Sequence, residues 1–141
     1  MKREKLNMNK EMYKDIVGIS EFLNYFPNVH WCYFHEVLEF RWYREFNYEE
    51  WCDSFCVDLK ISNMEKKDSI LLTLKNVSGG NCEFLGWISG LDIINLKYSG
   101  TGYESQYEVL DFEDSHIHFY CDEIEIKIIS VNGKEIKQIY T

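Results

Sequence analysis

The chain has 141 residues, a formal net charge of −9, and is 45% hydrophobic and 16% aromatic. Such apolar content supports a packed core and excludes disorder as the state of the whole chain, and the length is that of one domain spanning residues 1–141. An acidic body repels phosphate backbones and anionic lipid, so nucleic-acid and membrane partners are not expected, whereas a basic protein surface would be steered toward it.

The charge is unevenly placed. Within residues 1–14, Lys2, Arg3, Lys5, Lys10 and Lys14 stand against Glu4 and Glu11, a local +3 that leaves −12 on the remainder. Residues 1–7 read as a flexible basic N-terminus. Charges interrupt every apolar stretch of the first 25 residues, so neither an export signal nor a spanning helix is expected and the cytoplasm is the expected location. The cysteines Cys32, Cys52, Cys56, Cys82 and Cys121 are odd in number and lack a framework spacing, which fits buried reduced thiols better than disulfides.

From Met8 to Phe26 the residues Met8, Met12, Ile16, Ile19, Phe22, Leu23 and Phe26 recur every three or four positions. That spacing predicts a helical region over 8–26 with one stripe packed on the core, ended by Pro27 and open to a break at Gly18 or Ser20. The period then changes to two. Leu38, Phe40 and Trp42 share one face of a predicted strand and Glu39, Arg41 and Tyr43 the other, and in the next strand Phe55, Val57, Leu59 and Ile61 alternate with Cys56, Asp58 and Lys60. Between these strands, Asn47-Tyr-Glu-Glu50 suits either one capped helical turn or a loose hairpin loop.

Ile70, Leu72 and Leu74 alternate up to a predicted turn at Gly79-Gly80-Asn81, followed by a short return strand over 82–85. Strand patterning continues over 91–98 to a second turn at Ser99-Gly-Thr-Gly102, and three more runs cover 107–112, 116–121 and 123–129. Asn132-Gly133 lies between two alternating runs, the strongest short hairpin signal, and predicts a partner strand over 134–140. The expected fold is therefore α+β and mostly β. An N-terminal helical region packs on an antiparallel sheet, over 36–140, of about eight to nine short strands, arranged as a curved sheet, barrel or sandwich.

Candidate chemistry is sparse. His116-Ile-His118 places two imidazoles on one strand face ahead of Tyr120, with Glu123 and Glu125 as candidates to lie opposite; zinc needs three or four converging ligands, so the pair is at most the start of a metal site. Polar outward positions explain it equally well, and no cofactor is expected. The cysteines sit in acidic surroundings and match no nucleophile or zinc-knuckle motif, and the glycine pairs lack the residues of a phosphate loop. His35 and Glu36, between Trp31, Tyr33, Phe34 and a strand, could tie a loop to the sheet or touch a partner or ligand.

The order of these elements, with Phe34-His35-Glu36-Val37 opening a strand, then 55–61, 70–74, Gly90-Leu91-Asp92-Ile93, Tyr107-Glu-Val and Phe119-Tyr-Cys121, resembles the immunity protein 50 family of bacterial polymorphic toxin systems over roughly residues 20–129. Glu36 stands where the family element usually carries Asp. The resemblance implies a non-enzymatic protein that binds and neutralises a cognate toxin domain, and it carries no functional residues over. From charge, the partner-binding candidates are Glu39, Asp58, Glu123 and Glu125, with oligomeric state open. The alternative is a β-domain that binds a small ligand or metal, with the possibility of enzymatic activity, in which His35 and Glu36 or His116 and His118 line a cavity.

Overall fold

A computed structural model describes residues 11–28, 30–63, 65, 67–83, 86–99, 105–111, 113 and 116–136. The predicted basic N-terminus over 1–7 and Met8 lie outside the described residues. In chain order the elements are α1 (Ile19–Tyr25), a 3-10 turn (Trp31–Tyr33), β1 (Glu36–Asn47), β2 (Cys52–Ser62), β3 (Ser69–Lys75), β4 (Gly79–Cys82), β5 (Gly86–Trp87), β6 (Leu91–Asn95), α2 (Leu96–Ser99), β7 (Tyr107–Asp111), β8 (Ile117–Cys121), β9 (Glu123–Val131) and β10 (Lys134–Glu135).

The ten strands form two antiparallel ladders and no closed barrel among the described residues. One ladder runs β10-β9-β3-β2-β1-β5 and the other β4-β8-β7-β6. Alternation decides what lies between them. Val57, Leu59, Ile70, Leu72, Leu74, Ile124, Ile126 and Ile128 of the six-stranded sheet join Leu91, Ile93, Tyr107, Val109, Ile117 and Phe119 of the four-stranded sheet in one buried cluster. The Phe40 and Phe119 rings stack across the gap at 5.9 Å between centroids. Each fully buried Leu or Ile contributes about 1.5–3 kcal/mol of transfer free energy, so this cluster is the main source of stability.

The N-terminal stripe is buried as expected, with Ile16, Ile19, Phe22 and Phe26 in the core, but the helix is shorter than 8–26. Among the described residues of that span only Ile19–Tyr25 is helical, and residues 11–15 form turns. The reason is at Gly18, which has φ 91°, where an added Cβ would stand 2.2 Å from the Ile126 carbonyl oxygen. Here the backbone runs against β9: Val17 N–H donates to Ile124 O at 3.0 Å and Ile126 N–H to Val17 O at 2.8 Å. A helix through this point would lose that bridge. The stop before Pro27 is as predicted.

Further corrections follow from the strand pairing. Gly79-Gly80-Asn81 is not a turn but part of β4, paired with β8 through Gly80↔Phe119. Glycine is needed there for close approach, since a Cβ on Gly80 would stand 2.1 Å from the His118 carbonyl oxygen. Of the return strand predicted over 82–85, Cys82 closes β4, Glu83 N–H donates to His116 O, and 84 and 85 lie outside the described residues. The run over 91–98 is a strand only to Asn95 and then turns into α2. Of the second predicted turn, Ser99 closes α2 and 100–102 lie outside the described residues, as do Phe112 and residues 137–140. Asn132 and Gly133 take φ 53° and 82°, and Lys134 pairs with Val131, which is the predicted hairpin.

A polar knot fixes one end of the core. Asp68 is buried and accepts from the Tyr33 hydroxyl and, at 2.8 Å, from Asn132 N–H. Asn63 Oδ1 accepts from Lys67 and Asp68 N–H at 3.0 and 3.2 Å. The 3-10 turn, the β2–β3 loop and the β9–β10 turn are thus tied together by satisfied groups rather than by apolar contact.

Candidate functional site

Strands β1 and β2 are longer than the sheet that holds them. They pair from Glu36↔Ser62 to Asn47↔Cys52, whereas β3 pairs with β2 only from Ser62 to Cys56 and β5 pairs with β1 only at Glu36 and Val37. Residues 44–55 therefore leave the sheet as a two-stranded arm. Its tip is closed by Asn47, whose Oδ1 accepts from the N–H groups of Glu49 at 2.9 Å and Glu50 at 3.1 Å. Of the two options the sequence left open this is the hairpin loop, with turns and no helical turn at 48–51, although Asn47 accepts from the third N–H as the capped turn would. Trp51 completes it with φ 52°, an uncommon conformation for a large ring.

The arm carries a file of rings on the face that continues the core. From Phe119, Trp42 stands at 6.1 Å and Phe55 a further 5.5 Å from Trp42. At the tip, Phe46, Tyr48 and Trp51 make edge-on contacts with centroids 4.8, 5.7 and 6.4 Å apart. Phe40 is half-buried, Trp42, Phe46 and Phe55 are about 40% exposed, and Tyr48 and Trp51 in the turn are 76% and 77% exposed. Around these rings, segment 44–53 holds Glu45, Glu49, Glu50 and Asp53 against Arg44, a local charge of −3. Arg44 meets Asp53 at 3.3 Å, an exposed pair of little energetic weight. Where the arm leaves the sheet, a polar cleft of about 260 Å³ is lined by Glu45, Asn47, Glu50, Lys75, Asn76 and Glu123, among others.

The four acidic residues expected to bind a partner do share a face. Glu39, Asp58, Glu123 and Glu125 all lie on the outer side of the six-stranded sheet, but cations stand among them. Lys60 is 3.6 Å from Glu39 and Lys75 is 3.8 Å from Glu125, while Arg41 lies over the Tyr43 ring. Asp58 accepts from Tyr43 at 3.2 Å and Thr73 at 2.9 Å. Burial, with Asp58 beside it, pushes the Tyr43 hydroxyl up to about 12. This surface is a checkerboard of paired charges, not an acidic patch, and of the four only Glu123 borders the cleft at the base of the arm.

His116 and His118 sit on the four-stranded sheet, each beside a carboxylate. His116 Nδ1 is 3.1 Å from Glu83 and His118 Nε2 is 2.5 Å from Glu108. The positions expected to lie opposite, Glu123 and Glu125, belong to the other sheet, so that part of the expectation is corrected. Among the described residues no three His, Cys, Asp or Glu side chains gather as metal ligands. His35 ties its loop to both neighbours through its backbone, donating to Ser62 O and accepting from Ile88 N–H at 2.9 Å each. Its ring packs edge-on to Trp87 at 5.6 Å, and Glu36 is buried beside it in the chain. All five cysteines are free, but the expectation of burial holds only for Cys56 and Cys121, Cys32 and Cys52 being exposed; burial raises the Cys56 and Cys121 thiols, the opposite of what a nucleophile requires.

Sequence reasoning missed the arm rings. For Tyr48 and Trp51 the signal is position, since rings inside a tight, polar, Asn-capped turn cannot reach a core on either side, whereas Phe46 and Phe55 lie on the strands and their alternation alone reads as inward. Among the described residues, no helix is long and apolar enough to cross a membrane. Comparison with family models, with curated proteins and with solved structures finds no match.

Proposed function

We propose that this chain is a non-enzymatic protein-binding protein of the immunity type, which captures a basic toxin domain with the tip of the β1–β2 arm. The observation that carries this reading is the projecting arm itself. Three mutually packed rings are held out at the end of a hairpin, ringed by carboxylates, in a protein whose own core is filled without them. Rigid rings lose little entropy on binding and are enriched among residues that dominate interface energy, while a surrounding charge of one sign speeds encounter with the opposite sign. The resemblance to the immunity protein 50 family makes a toxin domain the natural partner.

The test is co-expression with toxin domains encoded beside the gene. The account expects that the wild-type chain binds one of them and restores growth, and that Tyr48→Ala/Trp51→Ala stays folded and loses both. Failure to bind any such domain would overturn the immunity reading; protection undiminished by the double substitution would remove the arm from it.

A further inference from the structure

The six-stranded sheet ends on the two-residue β5, which leaves most of the outer edge of β1 open among the described residues. Among the described residues, β5 covers β1 only at Glu36 and Val37, and a register shift between Val37 and Glu39 closes the covered stretch. From Phe40 to Asn47, Phe-Arg-Trp-Tyr-Arg-Glu-Phe-Asn, β1 has β2 on one side and, among the described residues, no strand on the other. The segment contains none of the prolines that usually blunt an edge.

Backbone polarity along this edge is fixed by the neighbouring bonds. Val77 N–H donates to Phe55 O at 2.8 Å, so the Phe55 groups point away from β1. Arg44, directly opposite Phe55, must then turn its own N–H and C=O to the open side, and by alternation so do Phe40, Trp42 and Phe46. This is a ready template for an antiparallel strand.

The side chains say which strand fits. A second β1 laid antiparallel across a two-fold axis at Tyr43 sets Arg41 opposite Glu45, Trp42 opposite Arg44 and Phe40 opposite Phe46, each contact occurring twice. One pair is an ion pair, one a cation over a ring, one ring on ring. Neighbouring registers fail. Centring on Trp42 opposes Glu39 to Glu45; centring on Arg41, Arg44 or Glu45 opposes each of those charges to itself. The residues concerned are accessible: Arg41 and Arg44 are exposed, and Trp42 and Phe46 are 41% and 38% exposed.

We propose that β1 pairs with β1 of a second copy of this chain, in the register centred on Tyr43, to form one continuous sheet across a symmetric dimer. The pairing uses residues 40–46, the ring of Phe46 among them, and leaves Tyr48 and Trp51 beyond its end, so substitutions at Arg41 and Glu45 test it apart from toxin capture.

Light scattering of the full chain on a sizing column tests this with the wild type, Arg41→Glu, Glu45→Arg and the double variant Arg41→Glu/Glu45→Arg. The wild type should have twice the mass of one chain. Each single reversal opposes like charges twice and should raise the dissociation constant about tenfold or more, and the double variant should return to the wild-type value. Circular dichroism checks that all four are folded. As a measurement independent of charge, Tyr43→Cys should cross-link to itself under mild oxidation beyond the wild-type background from Cys32 and Cys52, because residues facing each other in a non-hydrogen-bonded pair bring their Cα atoms to about 4.5 Å. A wild-type monomer at the highest attainable concentration overturns the proposal, including the case in which the edge accepts a strand-forming peptide instead. A dimer indifferent to the single reversals, unrestored by the double variant, or unable to cross-link through position 43 overturns it as well.

Discussion

The near and far halves of the β1–β2 hairpin share two strands, one ladder and one apolar alternation, yet they end in opposite environments. In the near half, Val57, Leu59 and Ile61 are fully buried. In the far half, the same face shows Phe46 and Phe55 at 38% and 40% exposure. What changes between them is cover. The second sheet reaches as far as Phe119 under Phe40 and Trp42, and among the described residues the ladder beyond has neither a facing sheet nor β3 beside it. Alternation tells a strand which face is apolar; only the length of the opposing layer tells whether that face is buried. An apolar face extended past its cover is a surface kept for something else.

Substitutions in the two halves should therefore behave as though in different proteins. The largest stability loss is expected for Leu59→Ala, about 3 kcal/mol in denaturant unfolding, because both the transfer term and an unfilled cavity are incurred; a loss below about 1 kcal/mol would mean that the near half is not core. Next comes the tip turn. Asn47→Ala removes the acceptor of two N–H groups and should cost about 1 kcal/mol, or melt the arm locally with faster amide exchange at Glu49 and Glu50.

Tyr43 marks the boundary between the halves and gives a smaller, pH-dependent effect. Its hydroxyl ionises at about 12 in the folded chain, against 10.0 for the ordinary side chain, through burial and the proximity of Asp58. A raised value means that the folded state holds the proton more tightly. The contribution is thus fully present below pH 10 and is lost as pH rises from 10 to 12. Tyr43→Phe should flatten the fall in stability across that window in alkaline unfolding, and a slope unchanged by the substitution would remove Tyr43 as a cause. The smallest effect belongs to the tip: Tyr48→Ala/Trp51→Ala should shift unfolding by no more than about 0.5 kcal/mol, although two large rings are removed.

The contrast also explains what could be read from residues alone. The period-two patterns of β2, β3, β9 and of β1 from Glu39 onward were legible, as was the Asn132-Gly133 hairpin, because local chemistry dictates them; the register shift between Val37 and Glu39, which takes Leu38 out of the alternation with Phe40 and Trp42 and puts Val37 in the core, was not. The helix over 8–26 was overextended, since the requirement for Gly18 comes from the Ile126 carbonyl more than a hundred residues away. Gly79-Gly80 was misread as a turn for the same kind of reason: the demand for a missing Cβ came from β8. Of the candidate site, acidity and aromatic richness were legible, but their placement was not. Glu39, Asp58 and Glu125 were chosen as outward carboxylates, and Lys60, Thr73 and Lys75 beside them come from register that no single strand reveals. The rings of the arm were exposed by the limits of a neighbouring layer, which is a property of the assembled sheets.

The central claim is that the uncovered end of the hairpin is the binding element. Calorimetric titration of a bound toxin domain with the wild-type chain and with Tyr48→Ala/Trp51→Ala tests it most directly. The account predicts that the double substitution weakens affinity about a hundredfold, roughly 2.7 kcal/mol, with unfolding unchanged. Affinity equal to that of the wild type would contradict it and move the interface off the arm.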